Sequence, residues 1–179
     1  GGGPEWGAGV VWEGGRRALT GPVSEDNPSL KEGYGVGQSD AGAGSRVPAR
    51  RAMTRRELLT HRSGLAYGFI DRATVGDAYR KGGVSDGLTV TEGTIGDNVD
   101  RLAKAPLVSQ PGAEYHYSLG VDVLGRLVDV VSGTTFDVFL RDRIFKQLQM
   151  IDTAFDVPQA KWPRPPPVHS PEGRGGGPV

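Results

Sequence analysis

The feature that most constrains the fold of this 179-residue chain is a periodic apolar segment beyond its midpoint. Its apolar side chains recur at i, i+3, i+4 and i+7, which places them on one face of a helix. They are Leu124, Leu127, Val128 and Val131. We therefore predict a helix over about residues 119–132, with Gly133 just past its end, where glycine commonly stops a helix. A helix with one apolar face needs a packing partner.

The next apolar stripe begins directly after this helix and supplies that partner. Thr134 and Thr135 offer a new N-cap, and Asp137 places a carboxylate in the first helical turn. The stripe consists of Phe136, Phe139, Leu140, Ile144 and Leu148. Because so short a link joins the two segments, we expect a helical hairpin.

Three shorter helices are predicted upstream. Thr54 and Glu57 have the spacing of a capping box, and Ser63-Gly64 ends the helix that they begin. A second helix is possible over 72–81, and a third over about 92–104 has an apolar face. That face is formed by Ile95, Val99 and Leu102.

Glycine and proline divide the chain. It contains 29 Gly and 13 Pro, and they are concentrated near both ends. We therefore predict a glycine-rich, mostly irregular segment 1–51, a helical region 52–156 and a Pro/Gly-rich tail 157–179. Turn-forming residues across 20–50 predict a long loop there.

Charge and composition exclude several functions. The formal net charge is zero, with no basic stripe, so we expect no nucleic-acid partner. Cysteine is absent, and the three histidines lie far apart without carboxylates at ligand spacing, so we expect no metal. No apolar stretch approaches about 18 residues. We therefore predict no signal peptide, no membrane partner and, by default, a cytoplasmic location; the oligomeric state stays open.

Common catalytic motifs are also missing. The chain has neither a Gly-x-Ser-x-Gly elbow nor a Gly-x-x-x-x-Gly-Lys phosphate loop. The glycines of 33–37 lack a preceding apolar strand and a following helix, so they read as loop glycines. Ser63 follows His61 by two residues near a helix end, where side chains diverge, so we interpret Ser63 as part of a structural turn.

Two segments nevertheless agree in order and spacing with a known family. One is Met53–Leu65, and the other begins at Pro111-Gly112, passes Tyr117 and Ser118, and continues to Phe155. They resemble the serine β-lactamase-like hydrolases: class C β-lactamases, related carboxylesterases and penicillin-binding-protein relatives. The resemblance implies the α+β fold of that family, of which this chain supplies mainly the helical region, predominantly α with long loops.

The resemblance implies that Tyr117 is a catalytic tyrosine. In this family such a tyrosine works with a Ser-x-x-Lys motif, in which the ammonium favours the phenolate that takes the proton of the serine. Ser118 and Leu119 come with it as candidate substrate-binding residues. Class C β-lactamases have Asn at the position of Leu119, and leucine cannot donate a hydrogen bond to an amide carbonyl, which favours an esterase. On pattern alone, Tyr117 is a half-buried structural tyrosine.

Two family motifs have no counterpart in the chain. No serine is followed three residues later by lysine, and no late Lys-Thr-Gly segment occurs. We therefore expect a truncated, central part of a serine hydrolase, inactive by itself. The whole protein would act through a serine acyl-enzyme on a small-molecule ester or amide, without a cofactor. The alternatives are a degenerate, non-catalytic helical module with a structural or interaction role, and ends translated out of frame.

Overall fold

A short hairpin and five helices form the regular structure of the described residues. The computed structural model describes residues 18–31, 34–39, 42–88 and 92–161. The helices are α1 (Arg55–Leu59), α2 (Asp77–Lys81), α3 (Ile95–Ala103), α4 (Gly120–Ser132) and α5 (Phe136–Leu140). The strands are β1 (Tyr34–Ser39) and β2 (Gly42–Pro48). Helical turns of 3-10 or π type occur at Val23–Glu25, Pro28–Leu30, Arg72–Gly76, Arg141–Phe145 and Gln159–Lys161. No helix among these residues has the length and apolarity that a membrane span needs.

The predicted start of α1 is confirmed with its capping box, and α3 begins at Ile95, three residues after the predicted start, with a capping box that the sequence analysis did not identify. At α1 the Thr54 side chain accepts a hydrogen bond from the Glu57 amide, while the Glu57 carboxylate accepts one from the Thr54 amide. The same reciprocal pair joins Thr94 and Asp97 at the start of α3. Each box satisfies two amides that a helix N-terminus leaves free, which fixes where these short helices begin.

The core lies where α4 packs against α1 and α3. Leu58, Val99, Leu102 and Val123 line this contact, and each is at most 1% exposed. Of the apolar face predicted for α4, Leu127 and Val128 are buried, whereas Leu124 is only partly buried. Val123 and Gly125 of α4 are buried as well, so the buried side of this helix is wider than the predicted stripe.

α4 also packs against α5, as the predicted helical hairpin requires. A Cβ atom added at Gly125 would lie 2.9 Å from Ile95 Cδ1 and 3.1 Å from Phe136 Cδ1. Glycine therefore allows α3 and α5 to approach α4 closely. The stripe after Phe139 does not continue inward: Leu148 is 48% exposed. The π-helical turn after α5 shifts the side-chain register, so the i, i+3, i+4 pattern no longer selects one face.

The loop predicted across 20–50 was wrong in its second half. β1 and β2 pair antiparallel there, with Tyr34 opposite Pro48, Ser39 opposite Gly42 and an irregularity between Val36 and Gln38. A glycine-rich hairpin lacks the alternation of β-branched residues that identifies a strand, but its backbone groups can still pair.

The segment before the hairpin is attached to α1 by a buried ion pair. Arg55 and Asp26 are fully buried at their side chains and are joined by two contacts, one from Arg55 Nε to Asp26 Oδ2 at 2.9 Å. Arg55 also donates to the Ala18 carbonyl at 3.0 Å and to Glu25 at 2.9 Å. One arginine thereby joins the turn at 18–26 to the helical region. The predicted segment bounds at 51/52 and 156/157 remain predictions, and residues 1–17 and 162–179 lie outside the described residues.

Candidate active site

Tyr117 lies on irregular backbone that leads into α4, and the loop after α1 holds this backbone in place. The His116 amide donates to the His61 carbonyl at 2.8 Å, and the Ser118 amide donates to His61 Nδ1 at 3.3 Å. The Leu119 amide then donates to the Ala66 carbonyl at 3.4 Å. Bonds on both sides of Tyr117 therefore fix its backbone against the 61–66 loop.

His61 itself has an unusual backbone conformation. Its φ is +53°, in the left-handed region that residues other than glycine seldom adopt. Its ring Nδ1 lies 3.3 Å from both the amide nitrogen and the hydroxyl oxygen of Ser118. Such backbone strain is found where the surrounding structure requires a particular geometry, often at functional sites. Here the strained residue is the one that contacts the segment on both sides of Tyr117.

Two arginines hold the turn that precedes this segment. Arg51 donates to the Pro111 carbonyl at 2.9 Å, and Arg62 donates to the Gly112 carbonyl at 2.8 Å. Gly112 has a φ of +85°, which favours glycine. Arg51 also binds Glu57, and although burial opposes ionisation of Glu57, its bonds to Arg51 and Thr54 hold the Glu57 pKa below its usual value. The turn is thus joined to the capping box of α1.

The Tyr117 ring belongs to a row of aromatic side chains at the surface. It contacts His61 with ring centroids 4.8 Å apart and Tyr67 with centroids 5.3 Å apart. The row extends from His61 to Tyr115 at 6.0 Å and from Tyr67 to Phe69 at 5.1 Å. Tyr117 is 53% exposed, so it lies at the surface of the described residues and not in their core.

Ser118 and Leu119 are placed differently from Tyr117. The structure buries both: Ser118 is 0% and Leu119 is 1% exposed. Ser118 Oγ accepts a hydrogen bond from the Gly120 amide and lies 3.3 Å from His61 Nδ1. Ser118 Oγ thus satisfies the amide of the first residue of α4, while Leu119 is the N-cap residue. Leu119 belongs to the core, and its remaining accessible edge forms part of the wall of a cavity.

The contact between His61 and Ser118 has the residue types of a nucleophile and a base, and sequence reasoning missed it because 57 positions separate them. Burial argues against that chemistry, since a substrate cannot reach Ser118 Oγ. Ser63, the serine closer in sequence, is also fully buried, and its Oγ accepts from the Leu65 amide. This is the structural turn that the sequence predicted.

Two further residues have pKa values above their usual range. Burial raises the pKa of Tyr67, and the charge of Asp122 raises it further. Burial also raises the pKa of Asp122, in the first turn of α4. Sequence reasoning gave neither residue a role. Among the described residues no group of three or more potential metal-binding side chains occurs.

The described fold matches solved structures of serine β-lactamase-like hydrolases. Residues 10–178 match the Beta-lactamase family, and the chain belongs to that family.

Its relatives include esterases. Esterase EstB of Burkholderia gladioli is 37% identical over 103 residues, which are 58% of this chain and 26% of EstB. The lovastatin esterase of Penicillium rubens is 32% identical over 144 residues, 80% of this chain and 34% of that protein. A solved structure of EstCE1, described as a hydrolase with promiscuous acyltransferase activity, matches with a TM-score of 0.61 and 28% identity. That match covers 78% of this chain and 33% of EstCE1. The chain thus spans about a quarter to a third of the length of these relatives.

Proposed function

We propose that this chain supplies the tyrosine-bearing part of a carboxylesterase-type serine hydrolase, in which Tyr117 is the catalytic tyrosine. The observation that carries the proposal is the fixed, exposed position of Tyr117. Bonds from His61 and Ala66 to both neighbours hold its backbone, while its ring is 53% exposed. A working group needs such rigidity together with access to a substrate.

In the proposed mechanism Tyr117 exchanges a proton with the serine of a Ser-x-x-Lys motif, which this sequence does not contain. A serine hydroxyl becomes a nucleophile when a base within hydrogen-bond reach takes its proton. The Tyr117 oxygen would serve as this base, and it would return the proton to the leaving alcohol as the acyl-serine forms. The backbone bonds to His61 and the ring contacts with His61 and Tyr67 restrict the orientation of the Tyr117 side chain for both transfers.

The burial of Ser118 assigns it a positioning role in this proposal. Its hydroxyl is engaged by the Gly120 amide and by His61, so it sets the angle at which α4 follows Tyr117. Leu119 offers an apolar edge in place of a hydrogen-bond donor, which supports ester over amide hydrolysis. Two relatives, Esterase EstB and lovastatin esterase, support the same choice of a small-molecule ester.

The proposal can be tested with the chain and with a hybrid protein. By itself the chain should not hydrolyse a chromogenic short-chain ester or a chromogenic cephalosporin above the buffer rate, because it has no Ser-x-x-Lys motif. Replacing the matched 103-residue segment of EstB with the corresponding part of this chain should give an active esterase. A hybrid that folds, as judged by circular dichroism, but has no esterase activity would favour a non-catalytic helical module.

A further inference from the structure

A cavity of about 680 Å³ lies beside the aromatic row and has no role in the mechanism above. Its apolar lining residues are Leu119 and Tyr79, which are 1% and 3% exposed, together with Val84 and Phe69. Pockets of about 300–1,000 Å³ hold small organic ligands, so the volume suits one substituent of a substrate or more. The Tyr79 hydroxyl accepts a bond from the Ala66 amide, and burial raises its pKa, so it stays neutral.

The cavity is connected to Tyr117 in two ways. In the sequence, Leu119, which lines the cavity, is two positions after Tyr117. Across the surface, Phe69 contacts Tyr67 at 5.1 Å and Tyr67 contacts Tyr117 at 5.3 Å, centroid to centroid. A substrate whose ester group reached Tyr117 could therefore extend a substituent over Tyr67 into the cavity.

Four charged residues also line the cavity, and their formal charges balance: Arg72, Asp77, Arg80 and Asp86. Arg80 is ion-paired with Asp77. The other two are Arg72, whose Nε donates to the Phe69 carbonyl at 3.2 Å, and Asp86, whose carboxylate accepts from the Leu88 amide at 3.0 Å. Two arginines and two aspartates thus line the cavity, so its charged side chains carry no net formal charge that would select an anion or a cation.

We propose that this cavity receives a neutral, bulky, apolar group of the ester substrate, and that Phe69 is a specificity-determining residue at its entrance. The proposal deepens the proposed function and rests on it for the identity of the ligand as a substrate. Phe69 is 37% exposed, which leaves a ring face available for contact with a ligand. Its neighbour Ile70 is 52% exposed and does not line the cavity, so it provides a matched control.

The test uses the chain itself and a ligand that cannot be hydrolysed. Cyclohexyl methyl ketone would be titrated against chain carrying ¹³C-labelled leucine, valine, isoleucine and methionine methyl groups, followed by NMR, so that Ile151 and Met150 report on the other cavity. We expect the largest shifts at Leu119 and Val84, and much weaker binding of acetone. Phe69→Ala should weaken ketone binding about tenfold, equivalent to about 1.4 kcal/mol, while Ile70→Ala should leave it unchanged. The anion 4-acetylcyclohexanecarboxylate should bind no more tightly than the neutral ketone.

Three results would overturn the proposal. The first is that the largest shifts occur at a different cavity, the one lined by Phe145 and Met150. The second is that the Phe69→Ala and Ile70→Ala variants bind the ketone with equal affinity. The third is that the chain binds the anion clearly more tightly than the neutral ketone. Because ketone binding involves no turnover, its outcome is independent of hybrid activity. An inactive hybrid together with ketone binding as expected would refute the proposed function and leave the ligand class of the cavity standing.

Discussion

Replacing Arg55 with methionine tests how the 18–26 turn is joined to the helical region. The substitution keeps an unbranched side chain of similar reach but removes the guanidinium group. In the structure that group contacts the buried Asp26 carboxylate, the Ala18 carbonyl and Glu25. The contact with Glu25 adds little, because Glu25 is 53% exposed at its side chain and exposed pairs contribute at most about 1 kcal/mol.

The contact with Asp26 determines the magnitude. Both side chains are fully buried, so Arg55→Met leaves a buried carboxylate without its guanidinium partner. Removing one member of a buried ion pair costs about 3–5 kcal/mol of unfolding free energy. Arg56→Met is the matched control, since Arg56 belongs to the same helix and its side chain is exposed. Surface substitutions of this kind change stability by about 0.5 kcal/mol or less.

Urea denaturation of the three proteins, followed by circular dichroism, measures these differences. The double variant Arg55→Met/Asp26→Leu should recover much of the loss, because an apolar pair can replace a buried ion pair at little cost. Equal denaturation midpoints for Arg55→Met and Arg56→Met would refute the reasoning. So would a double variant less stable than Arg55→Met.

Two further predictions concern α4. Leu127→Ala should lower the unfolding free energy by about 2–5 kcal/mol because Leu127 is 4% exposed. Val130→Ala, on the exposed face of α4, should not lower it in this way. Denaturant midpoints measure both variants, and equal losses of stability would contradict the packing. Burial raises the pKa of Asp122, so its ionisation costs stability as pH rises through that raised value. Asp122→Asn should therefore be more stable than the parent at pH 7, with the difference vanishing below about pH 4, the usual range of an aspartate. A difference that is constant across pH would show that burial of the charge is not the cause.

Helices and caps could be predicted because their causes are local in sequence. The Thr54/Glu57 capping box, the face formed by Val99 and Leu102, and the Gly133 stop each depend on residues within a few positions. The hairpin could not be predicted in the same way. Its strands are glycine-rich, and their pairing depends on backbone groups that carry no side-chain signal.

The candidate site shows the same division. Tyr117 could be selected by its resemblance to a family motif, and its exposure agrees with display at a surface. The residue that holds it in place could not, because His61 contacts 116–118 across more than fifty positions and through its backbone carbonyl. The burial of Ser118 and Leu119 was also missed. Tyr117, which precedes them in the sequence, is exposed. Whether each of these three side chains faces solvent or the core depends on how the chain enters α4 in three dimensions.

The central claim is that Tyr117 carries the proton transfer, and the most direct measurement compares two tyrosines of the aromatic row. Tyr115 is 63% exposed and also contacts His61, so Tyr115→Phe removes a similar hydroxyl nearby. In the EstB hybrid, kcat/KM for a chromogenic ester should fall about 10³-fold or more in Tyr117→Phe and stay near the hybrid's own value in Tyr115→Phe. A folded Tyr117→Phe hybrid that is as active as the Tyr115→Phe hybrid would contradict the account.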